Sequence, residues 1–259
     1  MRYLKLLLIR HAQSIGNTQA RMEGQQSTPL TDLGQQQAHA LSQGLLQPRR
    51  LTVSESEPTL PTHLYSSPLL RAHQTTAILA EELARRNHPL SIEVHSALQE
   101  IHPGIFQGLT WAEATAKYPA LCDRLMQSLE WQPVPQAESP SEARARAQAW
   151  LNDLFAKHQP GDTVWAVSHG GLMLQMISAI IGSDRTWKLS ISHTAIFEFW
   201  LTYSQLKALG KHPNQDRFNP EYSILRRFND TTHLSQHAQT SPPNQIPYQI
   251  PHQIPHQIP

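Results

Sequence analysis

The chain has 259 residues, 39% of them hydrophobic and 16% charged, enough to bury a core of its own. With 21 basic against 20 acidic residues its formal net charge is +1, which provides no broad basic surface for nucleic acid or an anionic membrane. Its one cysteine, Cys122, excludes an internal disulfide and any multi-thiolate metal centre.

Tyr3 to Ile9 is short, aliphatic and nearly continuous, which predicts a buried parallel strand. The run is too short for the apolar region of a signal peptide, because Arg10-His11 interrupts it at once. Thr31 can cap a helix whose Ala38, Leu41 and Leu45 share one face. His63 to Ser66 reads as a second strand. Leu69 to Arg86 reads as a helix with Ala72, Leu79 and Leu83 at helical spacing, and Ser91 to Val94 as a third strand. Residues 111–135 read as helical pieces around a loop with Trp and Pro, a cap over the sheet in which Cys122, Trp111 and Trp131 serve as core.

Ser139-Pro140-Ser141-Glu142 combines a capping Ser, Pro at the first helical position and Glu at the third. The helix it starts buries Ala143, Ala147, Trp150, Leu151 and Leu154. Thr163 to Ser168 is the fourth strand, Gly170-Gly171 opens another helix, and strands from Ala195 to Leu201 and Tyr222 to Phe228 complete the core. Alternating strands and helices predict an α/β fold: a three-layer α/β/α sandwich with a mostly parallel sheet and a small helical cap insertion.

The catalytic domain is placed at 1–235, with the cap insertion at about 105–138, and 236–259 is a Pro-rich tail. From Gln245 that tail repeats Gln-Ile-Pro followed by Tyr or His, and the recurring proline forbids helix. Its histidines read as solvated rather than metal-binding, and the extended segment is suited to docking a partner not identified by the sequence. Leu172 to Ile181 is interrupted by Gln175 and is too short to span a bilayer, so a cytoplasmic location is expected.

Arg10-His11 directly follows the first strand and Ser168-His169-Gly170-Gly171 the fourth. Ligands of open α/β sheets bind beyond the carboxyl ends of the strands, so both histidines reach one edge. Singly, a histidine after a strand is most often a loop residue, and His-Gly-Gly most often a turn. Together they supply the nucleophile and positive donors that phosphoryl transfer needs. Mg²⁺-dependent phosphatase chemistry would want Asp residues clustered after a strand, and the chain has no such cluster.

The segment Leu8-Ile9-Arg10-His11-Ala12-Gln13-Ser14-Ile15-Gly16-Asn17 resembles the signature of the histidine phosphatase superfamily, the phosphoglycerate-mutase-like fold. The resemblance continues in Pro29-Leu30-Thr31-Asp32-Leu33-Gly34, in Ser66-Ser67-Pro68-Leu69-Leu70-Arg71-Ala72 and in Leu98-Gln99-Glu100. It ends with Val167-Ser168-His169-Gly170-Gly171 and Asn229-Asp230-Thr231-Thr232-His233-Leu234. The motifs stand in the family's order, and 111–160 and 203–220 are the poorly matched stretches.

The resemblance implies a phosphoric monoester hydrolase acting on a small phosphomonoester, without metal or other cofactor. His11 would be the nucleophile, and Arg10, Arg71 and His169 would surround the phosphoryl oxygens. Glu100 would be the proton donor, although alone it reads as a plain loop carboxylate. Asn17, Ser14 and Gly24 would add neutral donors, and the helix opened by Gly170 would direct its first amides at the anion. His102 and the cap are the expected specificity elements, with His233 near the pocket mouth. For His102, a hydrogen bond within its own loop is the competing reading.

The chain departs from the family pattern at Ala12, where a glycine is usual, and at Gln13, where Glu is common. Gln107 stands where many phosphatases of the family carry a second acid. A mutase is the alternative, but Glu100-Ile101-His102-Pro103-Gly104 lacks the Arg and Tyr of the mutase loop, and 111–135 holds only Lys117 and Arg124 as cations. A non-catalytic phosphate-binding module is the alternative of another class, and would have lost His11 or Glu100. Phosphoserine or a similar phospho-acid is the expected kind of substrate. The sequence leaves a homodimer open.

Overall fold

The computed structural model describes residues 3–47, 60–128, 131–183, 189–202 and 223–235. The repeat tail, and Tyr222 at the start of the expected last strand, lie outside the described residues. Strand β1 (Leu4–Arg10) leads through the short α1 (Ile15–Thr18) to α2 (Asp32–Leu46). Strand β2 (His63–Ser66), α3 (Leu70–Arg85) and β3 (Ile92–Val94) follow, then the short helices α4 (Trp111–Lys117) and α5 (Pro119–Gln127). Helix α6 (Pro140–Lys157), β4 (Thr163–Ser168), α7 (Gly170–Ile180), β5 (Ile196–Leu201) and β6 (Ile224–Asp230) complete the order.

The sheet runs β3-β2-β4-β1-β5-β6. Neighbours among β3, β2, β4 and β1 are parallel, and β5 runs against both β1 and β6. The sheet is therefore mostly parallel, and the fold is the α/β sandwich expected. Strand β1 is aliphatic on both faces. Leu4, Leu6 and Leu8 pack with Leu151 of α6 and Met173 of α7, while Leu7 and Ile9 pack with Leu41 of α2 and Leu79 of α3. Each such side chain fully buried contributes about 1.5–3 kcal/mol. That two-sided burial fixes β1 as the central strand, and with it the position of the Arg10-His11 segment that follows.

The helix starts follow the capping chemistry of the sequence. Thr31 Oγ1 accepts from the Gly34 amide at 2.9 Å, and Ser139 and Glu142 form a reciprocal capping box around Pro140. Helices α4 and α5 make a small core of their own from Phe106, Ala114, Leu121 and Cys122. Trp111 packs on Phe106 there, with ring centroids 6.3 Å apart. Trp131 does not join it: the side chain is 52% exposed, so its expected place in the core is corrected. The last strand runs on to Asp230, two residues past the expected end at Phe228.

Candidate active site

Register brings the two motif histidines together. Arg10 pairs with Ser168 across β1 and β4, so the next residues, His11 and His169, leave the sheet side by side. The His11 amide donates to the Ser168 carbonyl at 3.0 Å, and the two imidazole centroids are 5.0 Å apart. Both rings are buried.

The hydrogen bonds fix the tautomer of His11. Its Nδ1 is 2.7 Å from the Ala12 carbonyl oxygen, which can only accept, so Nδ1 carries the proton. Nε2 therefore presents a lone pair, and Arg71 Nε donates toward it at 3.3 Å. Burial, then the charges of Arg71, His169, Arg10 and His193, hold His11 well below the ordinary imidazole value of 6.5. His11 is thus a buried neutral imidazole with its lone pair turned toward cationic groups.

His169 is prepared in the complementary sense. Its Nε2 is 2.8 Å from Ser67 Oγ. That oxygen also accepts from the Leu69 amide at 3.3 Å. The other ring nitrogen, Nδ1, is buried with no hydrogen-bond partner among the described residues. Burial, then Arg71 and Arg10, depress its pKa as well. A buried polar nitrogen left without a partner costs about 1–3 kcal/mol.

Arg71 is 1% exposed and held on several sides. Its terminal nitrogens donate to the Gln26 carbonyl at 2.6 Å and the Gly24 carbonyl at 2.8 Å, and Glu23 lies 3.8 Å away. Gly24 adopts φ +50°, and a Cβ there would meet Pro103 Cδ at 2.1 Å, so glycine is needed for the turn that aims this carbonyl. Arg10 donates to the Ile191 carbonyl.

Two of the expected donors act differently from the expectation. Ser14 Oγ donates to Glu23 at 2.6 Å, and Gly24 offers its carbonyl to Arg71. Both serve to orient the site, because the buried Glu23 carboxylate and the Arg71 guanidinium must first be satisfied. Asn17 also binds Glu23, through Nδ2 at 2.8 Å, while its Oδ1 accepts from the Ser14 amide at 3.1 Å. The side chain of Gln13 accepts from the Thr31 hydroxyl at 2.9 Å, at the start of α2.

Glu100 sits at the start of α7. Its carboxylate accepts from the amides of Gly171 at 3.1 Å, Leu172 at 3.0 Å and Ile101 at 2.9 Å. The helix-start amides expected to face a substrate anion thus hold the protein's own carboxylate, which satisfies the same positive end. Gly170 and Gly171 lie between the cations and the acid. A Cβ on Gly170 would stand 3.6 Å from Arg10 Nε, and one on Gly171 would meet Glu100 Oε1 at 2.6 Å.

The acid loop is clamped by Arg146 of α6. Its Nη1 donates to the Ala97 and Gln99 carbonyls, each at 2.8 Å, and its Nε and Nη2 grip both oxygens of Glu138 at 2.7 Å. Glu138 Oε2 in turn accepts from the His102 amide at 3.3 Å. His102 Nδ1 accepts from the Gly104 amide at 2.9 Å, which is the loop-bonding role and places its proton on Nε2. Gln107 is a loop tether, accepting from the Gln25 amide at 2.9 Å.

The structure adds a third histidine that sequence reasoning missed. His193 stands 6.0 Å from the His11 ring, centroid to centroid, and donates from Nε2 to Asn17 Oδ1 at 2.9 Å. Burial, then Arg10, holds its pKa well below 6.5. The next residue, Thr194, is β-branched yet adopts φ +57°, a strained conformation. Its amide donates to the Arg10 carbonyl at 3.1 Å, and its hydroxyl is 2.9 Å from His233 Nε2. His233 is buried and packs against Gly44 of α2.

Comparison with known proteins meets this geometry. Residues 6–211 match the model of the histidine phosphatase superfamily, branch 1. The chain belongs to the histidine phosphatase superfamily. A glucosyl-3-phosphoglycerate phosphatase of Mycobacterium tuberculosis is 31% identical over 188 residues, which cover 70% of this chain and 77% of that protein. A metal-independent phosphoserine phosphatase of Arabidopsis thaliana is 28% identical over 216 residues, covering 80% and 84%. The solved native structure of a mycobacterial glucosyl-3-phosphoglycerate phosphatase superposes with a TM-score of 0.64 at 25% identity, over 88% of this chain and 99% of that one. This histidine phosphatase is accordingly a phosphoric monoester hydrolase. None of the helices among its described residues is long and apolar enough to cross a membrane.

Proposed function

We propose that the enzyme hydrolyses a small phosphorylated acid through a phosphohistidine on His11, with Glu100 as the proton donor and no metal in the reaction. The observation that carries the proposal is the His11 tautomer: a proton fixed on Nδ1 by the Ala12 carbonyl and a lone pair on Nε2 among Arg71, Arg10 and His169. Nε2 attacks phosphorus, the ester P–O bond breaks, and the leaving oxygen takes a proton from the Glu100 carboxyl. Water then attacks the phosphohistidine, returns a proton to Glu100 and releases inorganic phosphate. Arg71 Nε–H passes from the imidazole lone pair to a phosphoryl oxygen, and His169, whose Nδ1 has no partner among the described residues, donates from that nitrogen to another. Arginine's fixed fork performs the charge neutralisation that a metal supplies in other phosphatases.

Glucosyl-3-phosphoglycerate and phosphoserine, the compounds named for the relatives above, both join a carboxylate to a phosphomonoester. A His102 ring whose Nε2 carries the proton is a donor suited to that carboxylate. The test is phosphate release from phosphoserine, glucosyl-3-phosphoglycerate, sugar phosphates and nucleotides, with EDTA present, for wild type and His11→Ala. Turnover that survives EDTA, falls on the order of 10⁴-fold in the variant and concentrates on the phospho-acids supports the reading. Activity abolished by EDTA, or undiminished in the variant, refutes the mechanism. A preference for nucleotides or sugar phosphates refutes the substrate class.

A further inference from the structure

Three side chains from separate segments converge at the edge of the sheet opposite the active site. His63 opens β2, His158 closes α6, and Asp162 immediately precedes β4. These are the amino ends of parallel strands whose carboxyl ends carry the catalytic motifs. One nitrogen of each imidazole and one oxygen of the carboxylate lie within 4.8 Å of one another. The two rings meet edge to face at 4.2 Å between centroids, and His158 Nδ1 is 3.6 Å from Asp162 Oδ2. Ligands on one tetrahedral zinc ion stand about 3.3 Å apart, so small side-chain rotations bring all three to bonding distance.

The surroundings supply what metal-bound histidines need around them. Tyr65 Oη is 2.9 Å from His158 Nε2. Accepting the proton there, it leaves the Nδ1 lone pair facing Asp162, the outer-shell arrangement that orients ligating imidazoles. Thr62 Oγ1 lies 2.9 Å from His63 Nδ1, and the Gln159 amide fixes Asp162 Oδ2 at 3.0 Å. His158 is buried. Lys157 is the opposing charge in the neighbourhood. Its Nζ is paired with Glu93 Oε2 at 2.6 Å, so Asp162 leaves the cluster with net negative charge.

We propose that His63, His158 and Asp162 form a binding site for a divalent transition ion of the zinc type, pinning the start of β2 to the α6–β4 turn. Two imidazoles and one carboxylate match the donor preference of that ion, with water in the fourth position. The ion is remote from the phosphoryl pocket and takes no part in turnover.

Zinc titration of the full-length chain by calorimetry, for wild type, His63→Ala and Asp162→Asn, tests the proposal. Neither substituted side chain is fully buried, so both variants are expected to fold. The expected result is one site in the wild type, weakened about 100-fold or more in each variant, with X-ray absorption showing two imidazoles on the ion. Phosphate release in EDTA should be the same in all three proteins. Identical isotherms for wild type and variants, which would place the zinc on histidines elsewhere such as His252 and His256, overturn the proposal. So does the absence of any uptake by the wild type.

Discussion

Truncating Arg146 to alanine would leave every proposed reacting group in place and remove the clamp behind one of them. The guanidinium makes two bonds of 2.7 Å to Glu138 and two of 2.8 Å to the Ala97 and Gln99 carbonyls, the second of these just before Glu100. The pair is 22% and 14% exposed, so water offsets part of each bond. Charge-assisted bonds contribute about 1.5–3 kcal/mol each when buried; discounted for that exposure, the clamp contributes about 3 kcal/mol to stability. Its larger effect should be on positioning. A misplacement of about 1 Å in a reacting group costs about 10²-fold in rate, and without Arg146 the loop carrying Glu100 loses the bonds to the Ala97 and Gln99 carbonyls and keeps those from Gln25, Ser168 and the α7 amides.

The assay is steady-state turnover at a temperature where circular dichroism shows the variant fully folded. Arg146→Ala should lower kcat about 10²-fold, and Arg146→Lys, which keeps the charge without the fork, should recover part of it. The decisive measurement is the same truncation in a Glu100→Gln background. If Arg146 acts through Glu100, the second substitution costs little there, because the group being positioned is already disabled. An equal loss in both backgrounds, or a lowered Tm with unchanged kcat, would refute the positioning argument.

The three active-site histidines predict a stability that falls with acid. His11, His169 and His193 all lie well below 6.5 in the folded protein, so below that pH the unfolded chain binds more protons. Their contribution is complete above 6.5 and is lost as pH falls, by up to about 1.4 kcal/mol per pH unit for each histidine; urea midpoints that stay flat from neutral pH to about pH 5 would contradict this. Gly171→Ala should displace Glu100 from α7, since the new Cβ would stand 2.6 Å from Oε1, and reduce kcat while the fold remains; full activity would show that the tether is dispensable. Glu100→Gln should cost about 10²–10⁴-fold on alkyl phosphates and much less on aryl phosphates, whose phenolate leaves without a proton. Equal losses on both would remove Glu100 from the role of acid.

Much of this architecture follows from signals that act within a few residues. The aliphatic run of β1 is buried on both faces, so its strand character needs no partner to be recognised. Thr31 and Ser139 announce α2 and α6 by side chains that satisfy amides three residues away. Arg10, His11 and His169 were legible as a site because parallel strands deliver their carboxyl ends to one edge. That rule also explains the histidine that escaped. His193 lies before its strand, not after it, and β5 is antiparallel to β1, which brings its amino end to the active edge. Strand direction is decided by pairing across the sheet, and nothing in the local pattern of Ala195 to Leu201 records it.

The same distinction separates the residues that point into the pocket from those that hold them. Glu23, Ser67, Glu138 and Arg146 each read locally as ordinary polar positions, and their roles arise from contacts with segments distant in sequence: Ser67 with His169, Arg146 with Ala97 and Gln99. Ser14 and Gly24 show the converse. Their motif places them near the phosphate, yet the buried Glu23 carboxylate and Arg71 guanidinium draw on them first, because leaving either unsatisfied costs more than a neutral donor gains. A site that concentrates cations must therefore include a surrounding shell of acceptors. The Gly24 and Gln26 carbonyls around Arg71 keep its charge fixed in direction, so that little reorganisation remains when a phosphate arrives.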